Sequence, residues 1–175
     1  MKKIILFLVL SLCVYIIHLL ILDRSIKYLY IGNSEYNKYN LIIKEYYKTG
    51  EYIQYINDND YRIMDLYNEI VNNDKVDNRE IQNILIKSNV IIIAIGINDL
   101  EYKKELNYKY IDEFIVDLEN LLKLMRKYNK DKIYFLGYHN KNEYYNYINK
   151  KTEEICKLNK IIFVDIEKPI YKQLY

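Results

Sequence analysis

A chain of 175 residues with a formal charge of +2 is long enough to bury one ordinary core, and its acids and bases interleave along the whole length. That leaves no basic stripe of the kind nucleic-acid binding requires, so nucleic acid is not an expected partner. The two cysteines, Cys13 and Cys156, have neither a second cysteine nor a histidine at metal-ligand spacing, so no metal site and no disulfide is expected, and Cys156 reads as a small buried helix residue.

The first element is apolar. Behind Met1-Lys2-Lys3, the run Ile4–Leu22 has about the length needed to cross a roughly 30 Å hydrocarbon layer at 1.5 Å per residue. No small residues precede a cleavage point in Leu19-Leu20-Ile21-Leu22-Asp23-Arg24, so residues 1–25 are expected to stay as a signal anchor. The alternative, secretion after cleavage, remains open. Lys2 and Lys3 place the amino terminus in the cytoplasm and the domain of residues 26–175 outside the cell, although Arg24 and Lys27 weaken that bias. His18 falls inside the run and is expected to be tolerated there without a role in proton transfer.

After the anchor, short apolar runs alternate with segments of helical period, the pattern of a parallel sheet covered on both faces. Strands are expected at Tyr28–Ile31, near Tyr52–Ile56, and at Val90–Ile95, Ile133–Leu136 and Ile161–Val164. Ile63, Leu66, Tyr67 and Ile70 mark one covering helix, and Ile111, Phe114, Ile115, Leu118, Leu122 and Met125 mark another. Tyr144, Ile148, Ile155 and Leu158 mark a third, while Asn72-Asn73-Asp74 and Asn129-Lys130-Asp131 read as turns. The expected fold is therefore α/β: a three-layer, flavodoxin-like, five-stranded parallel sheet with helices on both faces, preceded by a transmembrane helix.

Ligands of open parallel sheets bind beyond the carboxyl ends of the strands, which gives weight to the residues that follow each apolar run. Gly32-Asn33-Ser34 follows the first strand, and Gly96-Ile97-Asn98-Asp99 follows the third. Two of the chain's four glycines stand at these ends, each followed two residues later by a polar side chain able to reach a common pocket. No glycine-rich phosphate loop follows any strand, so no nucleotide or other cofactor is expected.

Tyr30-Ile31-Gly32-Asn33-Ser34 resembles the first block of the SGNH/GDSL hydrolases, and Ala94-Ile95-Gly96-Ile97-Asn98-Asp99 resembles their GxND block. Tyr61-Arg62-Ile63-Met64-Asp65-Leu66 and Tyr134-Phe135-Leu136-Gly137-Tyr138 also look like segments of a low-GC bacterial branch of that family. The resemblance implies a serine esterase acting on a lipid, a cell-envelope glycan or a small acyl ester. By it Ser34 is the nucleophile, its backbone N–H and the Asn98 amide stabilise the oxyanion, Gly32 and Gly96 shape the site, and Asp99 caps or buttresses the turn. From the residues alone, Ser34 reads first as a turn serine bonded to its own backbone and Asn98 as a helix N-cap or turn residue.

Three departures bear on that implication. Asp60 stands where the family's middle block carries a glycine, and a carboxylate there opposes negative charge on a substrate oxygen. Asn33 replaces the usual Asp, a milder change. No DxxH follows Asp165, so the family's base is missing; the chain looks cut short, and a sheet face near its end is expected to lie open. His139, after the fourth strand, is the one external histidine that could substitute, and Glu35 is a poor candidate because it neighbours Ser34 on a turn. The expectation is little or no triad-dependent activity, with a non-catalytic, membrane-anchored ligand-binding remnant as the alternative.

Overall fold

The computed structural model describes residues 27–48, 50–56, 61–102, 105–139 and 141–174. Within them β1 is Lys27–Gly32, α1 Asn37–Tyr47, β2 Glu51–Ile56 and α2 Ile63–Asn72. A hairpin of β3, Lys75–Val76, and β4, Arg79–Glu80, leads into α3, Ile81–Lys87. There follow β5 Val90–Ala94, α4 Ile97–Tyr102, α5 Tyr108–Tyr128, β6 Lys132–Leu136, α6 Glu143–Leu158 and β7 Ile162–Val164.

Five of the strands form one sheet in the order β2-β1-β5-β6-β7, with every neighbouring pair parallel. This is one of the two common doubly wound orders. The central strand β5, Val-Ile-Ile-Ile-Ala, is buried at every position, which is why its sequence is a continuous apolar run and not an alternation. On one face Tyr28 reaches Asn40 of α1, and Tyr134 meets Tyr47 of the same helix. On the other, Phe135 packs on Tyr138, which in turn packs on Phe114 of α5.

The expected strands are all present, the third ending one residue earlier, at Ala94. The α5 stripe is buried from Ile111 to Met125, with Ile115 at its partly exposed margin. Leu158 is a correction. The buried stripe of α6 runs through Tyr145, Ile148, Thr152, Ile155 and Cys156, so Leu158 falls to its flank at the helix end and is 76% exposed. Cys156 is buried as expected. The hairpin and α3, and also α1 and α4, occupy stretches in which the apolar pattern marked no element. Among the described residues no helix is long and apolar enough to cross a membrane; the run Ile4–Leu22, with Cys13 and His18, lies outside them.

Residues 165–174 add cover near the chain's end, although Ile162 and Phe163 of β7 stay partly exposed. Ile166, Ile170 and Leu174 are buried there, and the 3-10 turn Ile170–Lys172 packs against α1. Gln173 holds this strap to the end of β7, its Oε1 accepting from the Asp165 N–H and its Nε2 donating to the Asp165 carbonyl, both at 2.9 Å.

Beneath the sheet, buried Asn129 joins two loops. Its Nδ2 donates to the carbonyls of Leu85 at 2.6 Å and Ser88 at 2.7 Å, and its Oδ1 accepts from the Asp131 N–H at 2.9 Å. Replacing it with Ala removes the side-chain donor of the Ser88 carbonyl and the acceptor of the Asp131 N–H, while the Leu85 carbonyl keeps the Ser88 N–H at 3.3 Å. Asn129→Ala is therefore expected to cost about 1–3 kcal/mol in urea unfolding, against about 0.5 kcal/mol or less for Lys123→Ala, an exposed side chain paired with half-buried Glu119.

Candidate functional site

The carboxyl ends of β1 and β5 meet at a contact that only glycine allows. A Cβ on Gly32 would lie 2.4 Å from the Ala94 carbonyl oxygen, so any side chain there would separate the strands. That carbonyl accepts the Asn33 N–H at 3.1 Å, and the chain then turns sharply. The Asn33 carbonyl accepts from the Tyr36 N–H at 3.2 Å and from the buried Tyr30 hydroxyl at 2.6 Å. Asn33 Oδ1 accepts from the Glu35 N–H at 2.9 Å. Asn33 thus caps the 3-10 turn Ser34–Tyr36, on which Ser34 stands exposed.

The second motif turns away from β5 at Gly96, where φ is +102° and a Cβ would lie 2.5 Å from the Tyr138 hydroxyl. Any other residue is excluded by both strain and space. Asn98, half-buried on the first turn of α4, donates one amide hydrogen to the Tyr61 carbonyl at 3.0 Å. Between the two motifs lies a cavity of about 10 Å³, lined by Gly32, Asn33, Tyr61, Gly96 and Asn98 among others. Its size is of the order of one water oxygen. Asp60 lies outside the described residues.

Asp99 points away from this cavity. Its Oδ2 accepts from the Ile63 N–H at 3.1 Å, capping α2, and its carbonyl accepts from the Tyr110 hydroxyl at 2.6 Å. Burial pushes its carboxyl up to about 6, against the opposing pull of the Ile63 N–H and of Arg62. The capping role foreseen for Asp99 is thus placed on a neighbouring helix.

His139 sits on the same edge, beyond β6. Clamping by Asn149 fixes the residue before it, Oδ1 accepting from the Tyr138 N–H at 2.8 Å and Nδ2 donating to its carbonyl at 2.7 Å. His139 Nδ1 lies 2.9 Å from Glu167 Oε1, and Nε2 lies 3.2 Å from the Tyr39 hydroxyl. A carboxylate only accepts, so Nδ1 carries the proton and Nε2 is left as the basic nitrogen. Two strand spacings, roughly 10 Å, separate the ends of β1 and β6. The imidazole leans across that gap, its ring centroid 6.2 Å from Tyr36 and 5.9 Å from Tyr39, both on the chain just after Ser34.

The fold therefore gathers Gly32, Ser34, Gly96, Asn98 and His139 on one edge and turns Asp99 to a structural task. Glu167 and Tyr39 were missed by sequence reasoning. The only signal for Glu167 was a carboxylate three residues beyond the last strand. Among the described residues no group of histidine, cysteine and acidic side chains is arranged to hold a metal ion. Compared with models of known protein families and with curated proteins, the chain matches none.

Asp99 gives a test of this assignment. Its folded-state value lies above the ordinary 3.8, so its contribution to stability is fully present below that value and is lost as pH rises through about 6. Asp99→Asn keeps an acceptor for Ile63 and is expected to flatten the pH dependence across that window and to add about 1 kcal/mol at neutral pH, read by urea unfolding.

Proposed function

We propose that the chain is a membrane-anchored serine ester hydrolase built like the SGNH/GDSL enzymes on a three-layer, flavodoxin-like sheet, with its base supplied from the β6 loop and not from a terminal DxxH segment. The observation that carries this reading is the Glu167–His139 pair, oriented on the carboxyl edge beside the turn that bears Ser34. The resemblance of the two strand-end motifs supplies the nucleophile and the oxyanion donors.

In the proposed reaction the Ser34 hydroxyl attacks an acyl carbonyl and passes its proton to His139 Nε2, while Glu167 stabilises the resulting imidazolium through Nδ1. The carbonyl oxygen becomes an oxyanion held by the Ser34 N–H and the Asn98 amide in the small cavity between the motifs. Collapse expels the alcohol, which takes the proton from His139, and water then hydrolyses the acyl-serine by the same steps. The substrate class is an acyl ester of a lipid, a cell-envelope glycan or a small alcohol, and the anchor places the reaction at a membrane, on its outer side.

A second reading, a non-catalytic ligand-binding domain, is favoured by two features. Nε2 of His139 is turned to Tyr39, and one Asn98 hydrogen is committed to Tyr61. Labelling of the full chain with a fluorophosphonate separates the two. The hydrolase reading predicts labelling abolished by Ser34→Ala, slowed about 100-fold or more by His139→Ala, slowed less by Glu167→Gln, and unchanged or faster in Tyr39→Phe, where the competing hydroxyl is gone. Absence of labelling in the folded native chain favours the binding domain.

A further inference from the structure

We infer that the amino-terminal edge of the sheet is a docking surface for anionic lipid headgroups of the membrane that holds the apolar segment. The inference rests on the anchored reading of Ile4–Leu22 and not on the chemistry at the opposite edge. β1 begins at Lys27, and the few residues between it and Leu22 reach at most about 14 Å even when extended. The edge from which the strands start is then the one the chain itself holds against the bilayer.

Two hollows open on that edge. The larger, about 810 Å³, has Arg126, Lys130, Lys132 and Lys160 in its wall, against Asp131 as the one acid among its described residues. The other, about 470 Å³, carries Lys27, Lys75, Arg79 and Lys87 against Glu51 and Glu80. Arg79 and Glu51 pair at 2.9 Å and offset each other. Lys130 and Lys132 direct their ammonium groups to neutral oxygens, the Arg126 carbonyl at 2.9 Å and the Tyr47 hydroxyl at 3.1 Å.

Part of this basicity has an ordinary cause. Lys87 and Lys157 lie in the last turns of α3 and α6, where cations complement the helix dipole, and Lys130 serves the end of α5. Lys132 and Lys160 lie past the helix ends, beside Leu158, which is 76% exposed. Exposed cations around a projecting apolar side chain match a headgroup layer over an acyl boundary. The carboxyl edge is mixed in charge, with Glu35, Glu105, Glu143 and Glu167 exposed there, Glu101 paired with Lys141 at 2.6 Å and Lys168 with Asp165 at 2.8 Å.

The test is amide hydrogen exchange of the full chain in nanodiscs of phosphatidylcholine alone and of phosphatidylcholine with phosphatidylglycerol. Protection of 129–132 and 158–161 is expected to rise about five-fold or more with the anionic lipid, to fall back at high salt, and to be lost in Lys132→Glu/Lys160→Glu, while 97–102 on the far edge stays unchanged throughout. Equal protection in both lipids by a chain that enters the discs overturns the docking surface alone. A chain that does not enter the discs overturns the anchored reading, and this inference with it.

Discussion

The contact between Gly32 and the Ala94 carbonyl is the constraint on which the rest of the carboxyl edge depends. With no side chain between them, β1 and β5 stay in register to their last residues, and the Asn33 N–H closes on the Ala94 oxygen. The two motif turns therefore leave the sheet side by side. Their separation is set by one strand spacing, and the small cavity between them is lined by Gly32 and Asn33 from one turn and by Gly96 and Asn98 from the other. Gly96 has the matching role on β5, where its positive φ and the Tyr138 hydroxyl leave no room for a side chain.

Around this edge the abundance of tyrosine has a structural explanation. Tyr28, Tyr30, Tyr134 and Tyr138 are fully buried, and each ring fills core volume while its hydroxyl finds a partner: Asn40, the Asn33 carbonyl, Tyr47 and the Ile95 carbonyl. Burial holds the phenols of Tyr28, Tyr134 and Tyr138 above their ordinary range, so these remain neutral donors or acceptors. The Tyr30 and Tyr138 bonds end on backbone next to the two motifs, so the core itself stiffens the turns that carry Ser34 and Asn98. A Phe core of the same volume would lack those ties.

The five strands and the helices α2, α5 and α6 were legible because burial writes itself into local sequence, as Val90–Ala94 and the stripe from Ile111 to Met125 demonstrate, whereas α1, with only Asn40 and Ile43 buried, was not. The hairpin of β3 and β4 was not, since two-residue strands hold no period to read. Nor was the strap of residues 165–174, where Ile166, Ile170 and Leu174 are buried without a readable period and Gln173 returns to Asp165. The site divides in the same way. Gly32, Ser34, Gly96 and Asn98 lie in short ordered motifs, whereas the pairing of His139 with Glu167 exists only because β7 lies beside β6 in the sheet. Adjacency of that kind is a property of strand order, and no local pattern around His139 or Glu167 encodes it.

The central claim is that a single serine on this edge becomes covalently acylated during turnover. It is tested most directly by exposing the full chain to an activated aryl acetate, quenching with acid within the first turnover, and locating the added acetyl group by peptide mass spectrometry. The account predicts an acetyl ester on Ser34 that accumulates and then decays, with decay slowed in His139→Ala. Acetyl appearing on Tyr39 or His139 in place of Ser34, or no adduct on a folded chain, would contradict it.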